Sequence, residues 1–194
     1  MLEPGQSQFV VFTNESAGIT HTGYAGNFPL RKELMEVDGS WKVVFDNPVI
    51  DVHQEQTFNT LSDWSISDND VIKYYSGTAE YSTEFTLDSI PAGKDIFINL
   101  GKVGVMAEVT VNGKFAGGTW MYPYVLNVTD LVKPGKNTLK IDVVNLWRNY
   151  LVKEKSLPAD QQKTWLTVSD VKKGEALQPS GLIGPVKLET IGRK

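Results

Sequence analysis

The sequence contains no cysteine. That absence excludes disulfide frameworks, thiolate metal sites and cysteine nucleophiles together, while leaving the cellular compartment open. Histidine is nearly as scarce: His21 and His53 are the two present, and both fall outside the best strand-like patterns. There is no Gly-x-Ser-x-Gly elbow, His-Glu-x-x-His pair or Walker loop. No apolar run approaches the roughly 18 residues of a membrane-spanning helix. The opening residues, Met1-Leu2-Glu3-Pro4-Gly5-Gln6, lack the basic and apolar regions of a secretory signal, although a signal upstream of a cut-out domain would not be visible here. Basic residues are not in excess. The net charge is −4, which disfavours nucleic acid and anionic membrane as partners, since phosphate binding needs clustered Lys and Arg.

What is present is a packable chain. Hydrophobic residues make up 41% of the 194 and charged residues 22%, values of an ordinary globular domain. The apolar period is two. Tyr81, Thr83, Phe85 and Leu87 alternate with Glu80, Ser82, Glu84 and Thr86, which predicts a half-buried strand. The same alternation carries Ile96-Ile98-Leu100, Ala107-Val109-Val111 and Leu139-Ile141-Val143. Further strands are expected at Trp41–Phe45, Lys114–Thr119, Tyr124–Val128 and Val186–Thr190. Asn112-Gly113 is a two-residue hairpin signal, and Pro91-Ala92-Gly93 and Lys133-Pro134-Gly135 are loops. Thr129–Val132 has the makings of one helical turn, and Pro158–Trp165 of a short helix. Many short strands with such punctuation indicate an all-β sandwich or jelly roll. Residues 1–38 read as a lead-in, with a strand-like Gln8–Phe12 and a polar linker from a preceding domain. The sandwich itself is expected over residues 39–194.

The ordered motifs carry a family resemblance. They run Trp41-x-Val43-x-Phe45, then Phe58-Asn59-Thr60-Leu61-Ser62-Asp63-Trp64, then Ile72–Tyr81. Next come Leu100-Gly101-x-Val103, Ala107-Glu108-Val109-x-Val111-Asn112-Gly113 and Gly118-x-Trp120-x-x-Pro123-Tyr124. Asn145-Leu146-Trp147 and Ser180-Gly181-Leu182-Ile183-Gly184-Pro185-Val186 close the set. Together they resemble the C-terminal galactose-binding-like domain of the bacterial α-L-rhamnosidase family. The Val-x-Val-Asn-Gly part is also similar to the sugar-binding jelly roll of β-galactosidases and β-glucuronidases. The resemblance implies a galactose-binding-like jelly roll whose parent enzyme keeps its catalytic carboxylates in a separate domain. It also implies a periplasmic or secreted parent. One segment departs from the family pattern. Where relatives read Asn-Arg-Leu-Ile-Gly-Asp, this chain has Asn149-Tyr150-Leu151-Val152-Lys153-Glu154, which puts any family role of that Arg or Asp in doubt.

Candidate chemistry can be weighed residue by residue. Glycoside hydrolysis needs two carboxyls across a cleft, about 5 to 9 Å apart. Glu80, Glu84, Glu108 and Asp142 alternate with apolar residues and read as a solvated outer face, so no catalytic residue is expected in the chain. Sugar binding is the sharper expectation, because a sugar presents apolar C–H faces ringed by hydroxyls and wants an aromatic plate with polar forks. Trp120, Tyr122 and Tyr124 in one loop, and Trp147, Arg148, Asn149 and Tyr150 in another, supply both. The competing reading packs these aromatics beneath loops or against a neighbouring domain. Trp41, Trp64 and Tyr81 read as core anchors. Asp68-Asn69-Asp70 has oxygen donors suited to Ca²⁺ but falls far short of an EF-hand loop and reads as a polar turn. No other cofactor is expected. The chain is thus read as a carbohydrate-binding or structural accessory domain of a larger glycoside hydrolase, with a glycan and the catalytic domain of the same polypeptide as partners. A free-standing lectin-like protein and a purely domain-docking module remain the alternatives.

Overall fold

The computed structural model describes Phe12, Tyr24, residues 29–164, Leu166 and residues 170–193. The lead-in strand at Gln8–Phe12, His21 and Trp165 fall wholly or largely outside these residues. The strands are β1 Lys32–Glu36, β2 Trp41–Asn47, β3 Val52–Phe58, β4 Gly77–Leu87, β5 Lys94–Asn99, β6 Lys102–Gly104, β7 Met106–Val111, β8 Lys114–Thr119, β9 Val125–Asn127, β10 Gly135–Asn145, β11 Gly181–Gly184 and β12 Lys187–Gly192. Among the described residues, two short α-helices, α1 Asp70–Lys73 and α2 Arg148–Glu154, interrupt them.

A six-stranded sheet, ordered β3-β2-β4-β10-β7-β8, packs with a four-stranded sheet, β1-β12-β5-β9, and a small β11-β6 pair. The ladders between these strands are antiparallel. The chain is an all-β jelly-roll sandwich, as its period-two pattern predicts. β10 shows the logic most cleanly: Leu139, Ile141 and Val143 are buried, while Thr138, Lys140, Asp142 and Val144 face outward. The Asn112-Gly113 turn joins β7 to β8 with positive φ at both residues, 52° and 75°, the geometry a type I′ hairpin demands.

The core is tied together by aromatics. Trp64 stacks on Tyr81 at 6.3 Å between centroids, and Phe45 meets Trp64 and Tyr75 edge-on at 5.2 and 4.9 Å. Trp64 Nε1 donates to Tyr81 Oη at 2.6 Å, and the Leu182 amide donates to the same oxygen at 3.2 Å. Both hydroxyl contacts satisfy a buried polar tip inside an apolar cluster. Burial pushes the Tyr75 phenol up to about 12 and raises that of Tyr81 as well.

Three features differ from the expectation. β1 pairs with β12, so the sandwich includes Lys32–Glu36 and does not begin at Gly39. β3 is a strand although its middle is polar, because β2 pairs with it along its whole length. Residues 148–154 form α2 where a loop is expected, whereas Pro158–Gln162 holds only a 3-10 turn at Ala159–Gln161.

Tyr24 and the C-terminal strand meet at Asp95. The carboxylate of Asp95 accepts from Arg193 Nε at 2.6 Å and from the Tyr24 hydroxyl. The Arg193 guanidinium first, and the Tyr24 hydroxyl second, hold its carboxyl below the usual carboxylate range. A depressed native pKa gives stability that is present above the unfolded value, about 3.9, and is lost as the pH falls through the native value. Asp95→Asn is therefore expected to flatten the acid limb of stability below about pH 4. Urea midpoints measured across that range test this, and unchanged steepness in the variant contradicts it.

Candidate functional site

The two aromatic segments leave the six-stranded sheet at the same end. Thr119, the last residue of β8, is in register with Ala107 on β7, and Ala107 with Val143 on β10. Trp120 and the Leu146-Trp147 pair therefore emerge two strands apart, about 10 Å at ordinary strand spacing. That end is clasped by asparagines. Asn47 Nδ2 donates to the Ser76 carbonyl at 2.6 Å, Asn145 Nδ2 to the Tyr75 carbonyl at 2.9 Å, and Ser76 Oγ to the Leu146 carbonyl at 2.8 Å. These residues fix the strand end that leads into Trp147, yet the functional reading of the sequence passed over them. The signal was there: Asn145 continues the inward phase of Leu139, Ile141 and Val143, where a polar side chain needs a buried partner.

The first segment presents its aromatics. Trp120 is 70% exposed and Tyr122 48%, beside a shallow pocket of about 270 Å³ lined by residues 118–123. Tyr124 is different. It is half-buried, its hydroxyl donates to the Val105 carbonyl at 3.2 Å, and its own carbonyl accepts from the Leu100 amide at 2.9 Å. Tyr124 thus braces the loop.

The second segment divides. Trp147, at the N-cap of α2, is 37% exposed and stands edge-on to Tyr150 at 5.6 Å. Tyr150 itself is only 8% exposed; burial, with Glu154 beside it, raises its phenol. Asn149 is buried, and its amide grips the backbone of Gln178, donating at 2.7 Å and accepting at 2.8 Å. Arg148 pairs with Asp170 at 3.2 Å and with Glu175. Of the seven residues predicted for sugar contact, Trp120, Tyr122 and Trp147 share one exposed end. Asn149 and Tyr150 instead face the fold, and Arg148 fastens the segment around Glu175. The physical reason is α2: winding 148–154 into a helix turns Asn149 onto Gln178 and Ser180.

The departure from the family pattern also finds its place there. Glu154, 3% exposed, accepts from the Lys163 amide at 2.7 Å, the Thr164 amide at 3.1 Å and the Thr164 hydroxyl. It holds the segment that follows α2.

The strand carboxylates lie in register on one open face. Glu80 opposes Asp142 on β10, and Asp142 opposes Glu108 on β7. Lys140 bridges Glu80 at 3.2 Å and Asp142 at 2.8 Å, and Asp142 above all raises its pKa. Neighbours on one sheet face point the same way, so they do not flank a sugar ring from two sides. In Asp68-Asn69-Asp70, the Asn69 amide oxygen caps α1, accepting from the Val71 amide at 2.9 Å.

Comparison with known proteins agrees with this architecture. Residues 42–176 match the family described as the glycosyl hydrolase 2 galactose-binding domain-like domain. A rhamnosidase from Novosphingobium sp. PP1Y superposes with a TM-score of 0.75 at 34% identity, over 82% of this chain and 15% of its own. A curated protein of Formosa agariphila, whose name places it provisionally among the beta-glucuronidases, is 33% identical over 181 residues, 80% of this chain and 16% of its own length. A Ruminococcus gnavus beta-glucuronidase shares the fold, with a TM-score of 0.60 at 21% identity over 84% of this chain and 30% of its own. The chain thus spans a small part of these longer relatives. By the match over 42–176 and the sandwich that carries it, the chain belongs to the galactose-binding-like domain family of glycosyl hydrolase 2.

Proposed function

We propose that this chain is a non-catalytic carbohydrate-binding accessory domain of a larger, rhamnosidase-like bacterial glycoside hydrolase that works in the periplasm or outside the cell. The observation that carries the reading is the exposed pair Trp120 and Tyr122, on the same end of the sandwich as Trp147. An exposed indole offers a flat apolar plate to the C–H face of a sugar. Tyr124 braces the loop that carries that plate, so less order must be gained on binding. The rhamnosidase relative, of which the chain matches 15%, supports a parent enzyme whose reaction takes place in another domain.

Titration with rhamnose- and galactose-containing oligosaccharides, including pectic fragments, tests this. Trp120→Ala is expected to weaken binding about tenfold, the scale of one lost aromatic contact. Trp120 is exposed, so thermal stability should be unchanged. Saturable binding that is indifferent to both Trp120→Ala and Trp147→Ala removes the site, and turnover of aryl rhamnosides by the purified chain removes the non-catalytic reading.

A second reading has one observation in its favour. Val49 and Leu146 are also exposed at this end of the sandwich, and a row of apolar side chains suits docking against a catalytic domain of the same polypeptide. Absence of any saturable glycan binding favours it.

A further inference from the structure

Opposite the aromatic end, at the first residue of β2, lies a cavity of about 300 Å³. The β1–β2 connection, the residues after β3 and the link from β11 to β12 meet there. Trp41, Leu61 and Ile183 make its apolar lining, and Glu36, Asp38, Asn59 and Thr60 its polar lining. The walls are fixed by the core. Trp41 rests edge-on against Tyr81 at 6.3 Å, and the Val37 amide donates to the Val186 carbonyl at 2.8 Å. A pocket held this way needs little rearrangement to receive a ligand.

The polar lining has unused capacity. The side chains of Asp38, Asn59 and Thr60 make no hydrogen bond or ion pair to other described residues. Asp38 supplies carboxylate acceptors suited to a pair of adjacent hydroxyls, Asn59 both donates and accepts, and Thr60 does either. Apolar surface beside hydroxyl-matching groups is the chemistry of a polyol site. The volume stands at the lower end of ligand cavities, about 300 to 1,000 Å³, which suits one sugar ring and not a chain.

Charge selects among sugars. Lys187, next in sequence to Val186 of the lining, lies 3.7 Å from Glu36 but 2.8 Å from Glu33, so one ammonium is shared between two glutamates. Asp38 adds a further negative charge with no ion-pair partner among the described residues. Such a rim repels a sugar carboxylate or sulfate.

We infer that this cavity binds one neutral glycosyl unit, held by Asp38, Asn59 and Thr60 beside the apolar wall. The ligand class rests on the carbohydrate-binding reading above; the site is independent of the aromatic end.

Amide-resolved NMR titration of the chain with L-rhamnose, D-galactose and D-glucuronate tests it. The neutral sugars are expected to shift the signals of Asp38, Asn59 and Thr60 saturably, and glucuronate to bind at least about tenfold more weakly, the scale of one unfavourable charge contact. Asn59→Ala should weaken neutral-sugar binding about tenfold, as for the loss of a hydrogen bond to ligand. Asp38→Asn should narrow the gap between galactose and glucuronate. Both positions are exposed, so neither substitution endangers the fold. Equal binding of glucuronate and galactose, no saturable shift with either neutral sugar, or indifference to Asn59→Ala overturns the inference. Binding here that survives Trp120→Ala, with none at Trp120, refutes the aromatic site and keeps this one. Binding abolished by Trp120→Ala and untouched by Asn59→Ala does the reverse.

Discussion

Gly181→Ala is expected to destabilise the domain by about 3–5 kcal/mol, from overpacking together with backbone strain. A Cβ at this position would stand 2.3 Å from Cε2 and Nε1 of Trp64. The ring has nowhere to go: it is 1% exposed, stacked on Tyr81 and hydrogen-bonded to that residue's hydroxyl. The φ of Gly181 is 87°, which an alanine adopts only under strain. Any shift of β11 that relieves the clash also pulls the Leu182 amide from the Tyr81 oxygen, so relaxation has its own cost. For a domain of this size, the loss corresponds to a Tm lower by roughly 10 °C. Denaturant melts should show a reduced midpoint at unchanged slope. A loss below about 1 kcal/mol would mean that Trp64 is far more mobile than its packing implies.

Glu154→Ala is expected to cost about 2–4 kcal/mol, because two backbone amides and one hydroxyl lose a charged acceptor at once. The carboxylate is nearly buried and stands beside the raised phenol of Tyr150, so water replaces it poorly. Glu154→Gln keeps one carbonyl oxygen and should fall between the variant and the parent. The loss should be local as well as global. Residues 155–164 are tied to α2 through Glu154, so limited proteolysis should cut this segment faster in the alanine variant. Equal cleavage rates in the two proteins would show that the segment is held by other contacts.

Legibility in the sequence followed the physics of burial. β4, β7 and β10 lie inside the six-stranded sheet with one face in the core, and each shows its strict alternation in the residue order. β3 and β1 lie at sheet edges. Val52-His53-Gln54-Glu55-Gln56-Thr57-Phe58 is apolar only at its ends, which suits an edge but leaves no period to read. In β1 a register irregularity between Glu33 and Met35 breaks the alternation outright. The Asn112-Gly113 hairpin was legible because its cause is local, a backbone conformation that these two residues tolerate.

The candidate site was legible as composition and not as orientation. Trp120 and Tyr150 are both aromatic residues close to a strand end, yet one is exposed and the other is buried on the inner face of α2. Residue type fixes what a side chain can do to a sugar; whether it meets one depends on which loops pack over it. The cavity at Trp41 shows the same limit. Asp38, Asn59 and Ile183 are far apart in the chain, and only the meeting of three connections makes them neighbours.

By itself, then, the residue order determined the all-β class, the inward phase of the central strands, the aromatic core anchors and the family. Each of these depends on local periodicity or on motifs that travel with the chain. The tertiary structure alone decided that β1 and β3 complete the sheets, that Glu154 and Asn149 hold the long segment after α2, and which aromatics reach solvent. Those outcomes arise from contacts between residues distant in sequence, whose energies no local pattern records.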